Sequence, residues 1–254
     1  MAESHIVFEL SANSFGVYEL KLNNVVDIKG VVTFSSDNEK EQKEQISTLL
    51  NDLSLGSYDF YSLAWISSQT VFVPSAVHKA SDLSTIFSTC FNKEATLSNL
   101  DYNSIGEIGV VNVFEIPLWV KSFFVIKYPR IIVQHAFSNI LRQSIEKSKS
   151  GLELTVVLYQ NYFLLVVIFD SKFLFVNTFE YTICDDLLYF ISFTIQQLNI
   201  STLKGNIFFH SSQEALEIKF SEFSGKWSKI ERFNELLCLE QTVPSLPKFH
   251  LSCV

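Results

Sequence analysis

The spacing of apolar residues in this chain runs through one cycle twice. His5-Ile-Val-Phe-Glu-Leu10 is β-rich, turns through Ser11-Ala-Asn-Ser14 and returns as Phe15 to Leu22, and a polar turn between two apolar runs predicts a hairpin. A second turn at Asn23-Asn24 leads to a third run, Val25 to Phe34, which closes in the polar stretch Ser35 to Asn38. The period then changes. Glu39 to Leu53 places Ile46, Leu49, Leu50 and Leu53 on one face and charged residues on the other, with Ser36 or Asp37 available as N-cap. A three-strand meander followed by a helix lying on its sheet is expected. A fourth strand, Tyr58 to Ile66, is expected to continue past Ser67-Ser-Gln69 into Val71-Phe-Val73 and to end at Pro74, which has no N–H for a ladder.

The cycle returns with almost no letters in common. Leu152 to Tyr159, Tyr162 to Phe169 and Phe173 to Tyr181 form the second meander, with turns at Gln160-Asn161 and Asp170-Ser-Lys172. Asp185 to Leu198 carries Leu187, Leu188, Ile191, Ile195 and Leu198 at helical spacing, with Asp185 and Asp186 at the positive end of the helix dipole. Ile207-Phe-Phe209 is the matching fourth strand, and its apolar run suits a parallel strand covered on both faces. The competing account is two unrelated α+β domains. If the duplication is real, the first lobe occupies residues 1–150, a middle insertion included, and the second residues 151–254.

The insertion holds structure of its own. Asp82 to Phe91 predicts a short helix, Phe91 to Ile105 a polar connection, Ile108 to Ile116 a strand, Pro117 to Phe124 a helix opened by proline, Arg130 to Val133 a strand and Ala136 to Lys149 a helix. Trp119, Phe123 and Phe124 crowd too closely for one helix face to bury all three, which makes that segment the expected surface for self-association. Beyond the second cycle, Ser212 to Phe223 reads as a helix and Lys229 to Phe233 as a strand; Pro244 to Pro247 is irregular, and Lys248 to Val254 is a candidate edge strand.

Composition narrows the chemistry. A formal charge of −8 with nineteen Lys and Arg argues against a phosphate-binding surface for nucleic acid. The basic residues Lys121, Lys127, Arg130, Arg142, Lys147 and Lys149 are interleaved with apolar ones around a helix and read as a solvated face. The uninterrupted apolar run Tyr162 to Phe169 is far shorter than the ~20 residues of a membrane span, so no membrane partner is expected. Cys90, Cys184, Cys238 and Cys253 form no C-x-x-C pair, and the N-terminus lacks the pattern of a signal peptide. Free thiols and a cytoplasmic location follow as expectations. The five histidines show no metal-ligand spacing, and no nucleophile elbow precedes a helix. The twenty-four phenylalanines fall mostly at core positions of strands.

A duplicated unit of three-strand antiparallel meander, helix and parallel strand is the pattern of ribonuclease-H-like units doubled into an actin-like ATPase architecture, an α/β fold. The segments Phe72-Val-Pro-Ser-Ala76, Val111-Asn-Val-Phe-Glu-Ile-Pro117, His135 opening a helix and Gly205-Asn-Ile-Phe-Phe-His210 resemble a bacterial domain-of-unknown-function family with that actin-like fold. The resemblance covers nearly the whole chain and implies a fold without an activity.

What the fold implies can be tested on the letters. Actin-like ATPases grip phosphates with two hairpin turns facing each other across a cleft. Each turn carries an Asp-x-Gly pattern, so that carboxylates serve magnesium and glycine lets backbone N–H groups approach phosphate oxygens. Here the first turn reads Glu9-Leu-Ser-Ala-Asn-Ser14, where Glu9 imitates the acid and Ser11 and Asn13 are left as donors. The second, Tyr159-Gln-Asn-Tyr162, has neither acid nor glycine, and the adenosine-side turn, usually rich in glycine, is His210-Ser-Ser212. Glu9 and Asp185 are the one suggestive carboxylate pair for a nuclease-like metal site. No catalytic residue and no metal ligand is assigned. The reading is a non-catalytic scaffold or interaction module without a cofactor, binding a protein partner that includes a second copy of itself among the candidates. The alternative is a divergent ATP-binding protein or ATPase, using ATP with magnesium, with nucleotide-contacting candidates Glu9, Ser11, Asn13, Asn161, His210 and Ser211.

Overall fold

In the computed structural model, which describes residues 4–21, 25–78, 82–148, 150–200, 205–211, 215–227 and 237–242, the first meander is β1 (His5–Ser11), β2 (Ser14–Lys21) and β3 (Val25–Thr33). The helix α1 (Glu39–Leu53) follows, then β4 (Phe60–Ile66), which lies parallel to β1. The cap of α1 is Asn38, not Ser36 or Asp37: its Oδ1 accepts the N–H groups of Lys40 at 2.9 Å and Glu41 at 3.3 Å. Ile46 and Leu50 of α1 are buried on the face formed by Ile6, Phe8, Leu10, Phe15, Val17 and Leu63.

The fourth strand does not run on to Pro74. Ser67 Oγ accepts the N–H of Gln69 at 3.0 Å, and Ser68 accepts the N–H of Thr70, so the backbone turns. Beyond this turn, β5 (Thr70–Pro74) enters a separate three-stranded sheet ordered β5-β7-β6, with β6 spanning Leu100–Ile105 and β7 spanning Val110–Glu115. β6 lies in the stretch read above as a polar connection. It is an edge strand with one neighbour, and its polar residues have partners: Asp101 accepts from Lys121 Nζ at 3.2 Å and Asn103 joins a buried network. α2 (Leu83–Phe91) packs on this sheet through Leu83 and Phe87.

α3 (Leu118–Lys127) corrects the expected apolar patch. Phe124 and Val120 are fully buried, and Trp119 and Phe123 pack against the same core, with Lys43 Nζ 5.3 Å above the Trp119 ring. The exposed apolar residues of the helix are Leu118, Val125 and Ile126 instead. β8 (Ile132–His135) adds to β4, giving the order β3-β2-β1-β4-β8, and leads directly into α4 (Ala136–Lys147).

The second copy repeats this order: β9 (Leu152–Leu158), β10 (Tyr162–Phe169), β11 (Lys172–Glu180), α5 (Cys184–Gln197), and β12 (Gly205–Ser211) parallel to β9. The sheet order is β11-β10-β9-β12-β13, the same as in the first copy. The fifth strand is β13 (Leu237–Thr242), which the apolar pattern did not mark. α6 (Ala215–Trp227) sits beside α5, where Lys226 Nζ meets Asp185 at 2.8 Å. Leu187, Ile191 and Ile195 of α5 and Phe223 and Trp227 of α6 close the core over Leu154, Val156, Phe163 and Leu165. The expected strand Lys229 to Phe233 and the tail from Pro244 lie outside the described residues. Contacts group the chain into two compact units divided within α4, between Ile140 and Leu141. Among the described residues no helix is long and apolar enough to cross a membrane.

One glycine is required by strand spacing. A Cβ on Gly205 would stand 1.6 Å from the Leu152 carbonyl oxygen, so β12 can lie at its observed distance from β9 only with a bare Cα there. Gly205→Ala is expected to lower the unfolding free energy by about 2–3 kcal/mol in urea titrations. Unchanged stability would show that the two strands do not approach this closely.

Candidate functional site

The first turn closes on itself. Ser11 Oγ accepts the backbone N–H groups of Asn13 at 3.2 Å and Ser14 at 3.0 Å, and its hydroxyl pairs with that of Ser14 at 3.0 Å. This is the short-range capping that serine provides in turns, and it occupies two N–H groups that a phosphate cradle would have to present. The carbonyls are tied down as well. Asn13 accepts from the Phe34 N–H at 2.8 Å, and Ala12 accepts from Gln42 Nε2 of α1 at 3.2 Å.

Glu9 is engaged by a neighbour on β2. It pairs in register with Gly16, and a Cβ on Gly16 would lie 2.6 Å from the Tyr18 ring and 2.7 Å from its hydroxyl oxygen. The glycine thus admits an aromatic ring, whose hydroxyl donates to the Glu9 carboxylate. Burial first, then the charge and hydrogen bond of Glu9, push the Tyr18 hydroxyl well above its ordinary pKa. Glu9 itself is only 8% exposed.

The second turn is a cluster of tyrosines. Tyr159 donates its N–H to the Tyr162 carbonyl at 2.9 Å, and the two rings stack with centroids 4.8 Å apart. Tyr181 braces the turn from the end of β11: its N–H bonds the Asn161 carbonyl at 3.0 Å and its hydroxyl bonds the Tyr159 carbonyl at 2.6 Å. Burial raises the Tyr162 hydroxyl pKa, so this ring remains neutral. Gln160 and Asn161 are exposed at the tip.

Within the second unit, the register sets His210 beside Val157 and Ser211 beside Leu158, so both lie next to the strand end that opens this turn. The structure therefore gathers Glu9, Ser11 and Asn13 in one turn of the first unit, and Asn161, His210 and Ser211 at one end of the second sheet. The Ser211 side chain lies outside the described residues. Burial, helped by Lys147, lowers the His210 pKa to about 4, so the imidazole brings no positive charge to an anion at neutral pH. Asp185 is held by Lys226 and serves to join α5 to α6. Among the described residues no three His, Cys, Asp or Glu side chains are grouped to hold a metal ion. These donor sets do not fit a nucleotide's phosphate chain with magnesium: the first turn's N–H groups and carboxylate already have partners, and the second turn offers neither acid nor glycine.

A buried polar network, to which the sequence assigned no role, lies in the first unit. Asn112, fully buried in β7, accepts from the Thr70 hydroxyl and donates Nδ2 to Ser138 Oγ at 3.0 Å. Ser138 donates to Asn103 Oδ1 at 3.1 Å, and the same oxygen accepts the His135 N–H at 2.7 Å. His135 Nδ1 accepts the Phe137 N–H at 3.2 Å, which places its proton on Nε2, 3.1 Å from the Ser67 carbonyl. Complete burial lowers the His135 pKa to about 3. The motif residues Asn112 and His135 thus join the three-stranded sheet to β8 and α4. An asparagine inside the apolar run of β7 was the one available signal.

The family described as "Protein of unknown function (DUF3822)" matches residues 5–220. No curated protein matches the chain in sequence. Among solved structures, a Bacteroides thetaiotaomicron VPI-5482 protein with an actin-like ATPase fold and unknown function is similar at a TM-score of 0.76 and 14% identity, over 99% of this chain and 96% of its own. A chain of the PilM-PilN type IV pilus biogenesis complex is similar at a TM-score of 0.54 and 11% identity, over 94% and 88%. At these identities the likeness establishes the fold: α/β, with duplicated ribonuclease-H-like units in an actin-like ATPase architecture.

His135, fully buried, and His210, partly buried, make stability depend on pH. Each has a folded pKa below the unfolded value near 6.5, so the unfolded chain binds more protons between the two values. Their stabilising contribution is present above pH ~6.5 and declines as pH falls toward the folded values. His210→Gln is expected to reduce the loss of unfolding free energy between pH ~7 and ~5 by about 1–2 kcal/mol, measured by paired urea titrations. An unaltered loss would show that His210 is not held neutral.

Proposed function

This chain belongs to the DUF3822 family of proteins of unknown function, and on its actin-like fold we propose that it works as a non-catalytic protein-interaction module. The observation that carries this reading is the first turn. Ser11 takes up the N–H groups of Asn13 and Ser14, and Tyr18 takes up the carboxylate of Glu9. A phosphate entering there would have to displace hydrogen bonds worth about 1 kcal/mol each, and would approach the like charge of the Glu9 carboxylate. The tyrosine cluster of the second turn supports the same reading, because stacked rings leave little backbone for an anion to contact.

The partner in this reading is a protein. The charge of −8 disfavours a nucleic acid, and the function requires neither nucleotide nor metal. A cytoplasmic location is part of the proposal, supported by the free thiols of Cys90 and Cys184.

Calorimetry with ATP, ADP and GTP in the presence of magnesium tests it. The expected result is no binding tighter than about 1 mM, an affinity of about −4 kcal/mol. Micromolar binding that disappears in an Asn13→Ala, Ser211→Ala double variant would replace this proposal with a divergent nucleotide-binding protein.

A further inference from the structure

Two helices, one in each unit, keep apolar side chains in solvent along one face. On α3 the exposed face runs Leu118, Ser122, Val125 and Ile126, which are neighbours at helical spacing, and Ile126 is 80% exposed. On α5 it runs from the N-cap Ile183 through Asp186 to Tyr189 and Phe193. Tyr189 is 60% exposed, and its ring stacks on that of Phe193 with centroids 5.8 Å apart. Single apolar residues are ordinary on a surface. The charges around these two faces set them apart.

In a chain whose formal charge is −8, no acidic residue lies between Glu115 and Glu146, a stretch that holds Lys121, Lys127, Arg130 and Arg142. Lys121 is engaged by Asp101 at 3.2 Å. Lys127 ends α3 and Arg130 follows it; both are exposed, and neither has an ion-pair partner among the described residues. Around α5 the signs reverse. No Lys or Arg lies between Lys172 and Lys204, a stretch that holds Glu180, Asp185 and Asp186. Lys226 engages Asp185 at 2.8 Å, whereas Glu180 is exposed and has no ion-pair partner among the described residues. Asp186 accepts the N–H groups of Ile183 at 3.0 Å and Thr182 at 2.8 Å, and these bonds hold its carboxyl below the ordinary pKa and so ionised.

We propose that α3 of one copy of this chain docks on α5 of a second copy, with the two helices antiparallel, so that every molecule carries both halves of one contact. Opposite charge beside matching apolar faces chooses this occupant. Antiparallel packing brings the C-terminal end of α3 to the N-terminal end of α5, so Lys127 and Arg130 face the partner subunit's Glu180 and the partner subunit's Asp186. Val125 and Ile126 then lie toward the partner subunit's Tyr189, and Leu118 toward the partner subunit's Phe193. A parallel arrangement sets the same cations against the partner subunit's Gln196 and the partner subunit's Gln197, which carry no charge. Pairing α3 with α3, or α5 with α5, leaves the charges without opposites. The contact is therefore heterologous: each molecule that joins still offers one free face, and association continues past the dimer unless it closes into a ring. The inference goes beyond the function proposed above and does not depend on whether nucleotide binds.

Sedimentation velocity on the full chain tests it, with urea titrations to confirm that each variant folds. At roughly 100 μM the wild type is expected to associate beyond the monomer, and less so as salt rises from about 0.05 to about 0.5 M. Ile126→Glu, which sets an acid against the acidic face, and the double variant Tyr189→Ala, Phe193→Ala are each expected to weaken association at least about tenfold. Each variant keeps the face that the other lacks, so an equimolar mixture of the two is expected to form a one-to-one dimer and nothing larger. The proposal is overturned by a monomeric wild type, by association that salt does not weaken, by either variant associating as the wild type does, or by a mixture that stays monomeric.

Discussion

The pairing of a parallel strand with the first strand of an antiparallel meander governs most of this structure. β4 against β1 and β12 against β9 cannot be joined by a short hairpin, since a parallel neighbour needs a crossover long enough to return the chain to its starting end. α1 and α5 are those crossovers, and each buries its apolar face on the sheet it crosses. Three consequences follow. The third meander strand is left at an edge, the first hairpin turn comes to lie at the strand end where β4 or β12 also finishes, and the fifth strand adds beyond the parallel one. In the second unit the pairing is so close that Gly205 has no room for a side chain.

Actin-like ATPases place their phosphate turns at such strand ends, and in this chain the turns there hydrogen-bond within themselves. A turn that presents N–H groups to a ligand leaves them unsatisfied in the ligand's absence unless water reaches them. Ser11 removes that requirement in the first unit, and Tyr181 braces the corresponding turn in the second. Gly16 shows a comparable closure. It stands opposite Glu9, where a glycine could open the backbone to an anion, and the space is filled by Tyr18.

The two copies have diverged in their surroundings more than in their topology. In the first, the three-stranded sheet is fastened by hydrogen bonds: the network through Asn112, Ser138, Asn103 and His135, and the Trp65 indole N–H to the Glu115 carbonyl at 2.8 Å. Buried polar groups tolerate few alternative arrangements, because each rearrangement leaves a donor or acceptor without a partner in a low-dielectric interior. The second copy has no counterpart of that sheet among its described residues. Its core is closed by aromatic packing, with Phe209, Phe223 and Trp227 following one another in contact.

The sequence alone determined the duplicated order of elements, because strand and helix periods are local properties and each run was long enough to display one. It also determined that the phosphate turns lack their usual residues, since letters are absent or present before any folding. Elements whose period is short or polar escaped. β6 is an edge strand whose side chains contact other elements, and β5 could not be separated from β4 until Ser67 was seen turning the backbone. What became of the turn residues was a tertiary decision. Nothing in the order Glu9, Ser11, Gly16, Tyr18 says that the hydroxyl of Tyr18 reaches Glu9, because that contact depends on two strands being in register and on a glycine lying beneath the ring. Likewise Trp119 and Phe123 read as exposed from helix spacing alone, and are partly buried because they pack against a core that α1, more than sixty residues earlier in the chain, also helps to build, with Lys43 of α1 over the Trp119 ring.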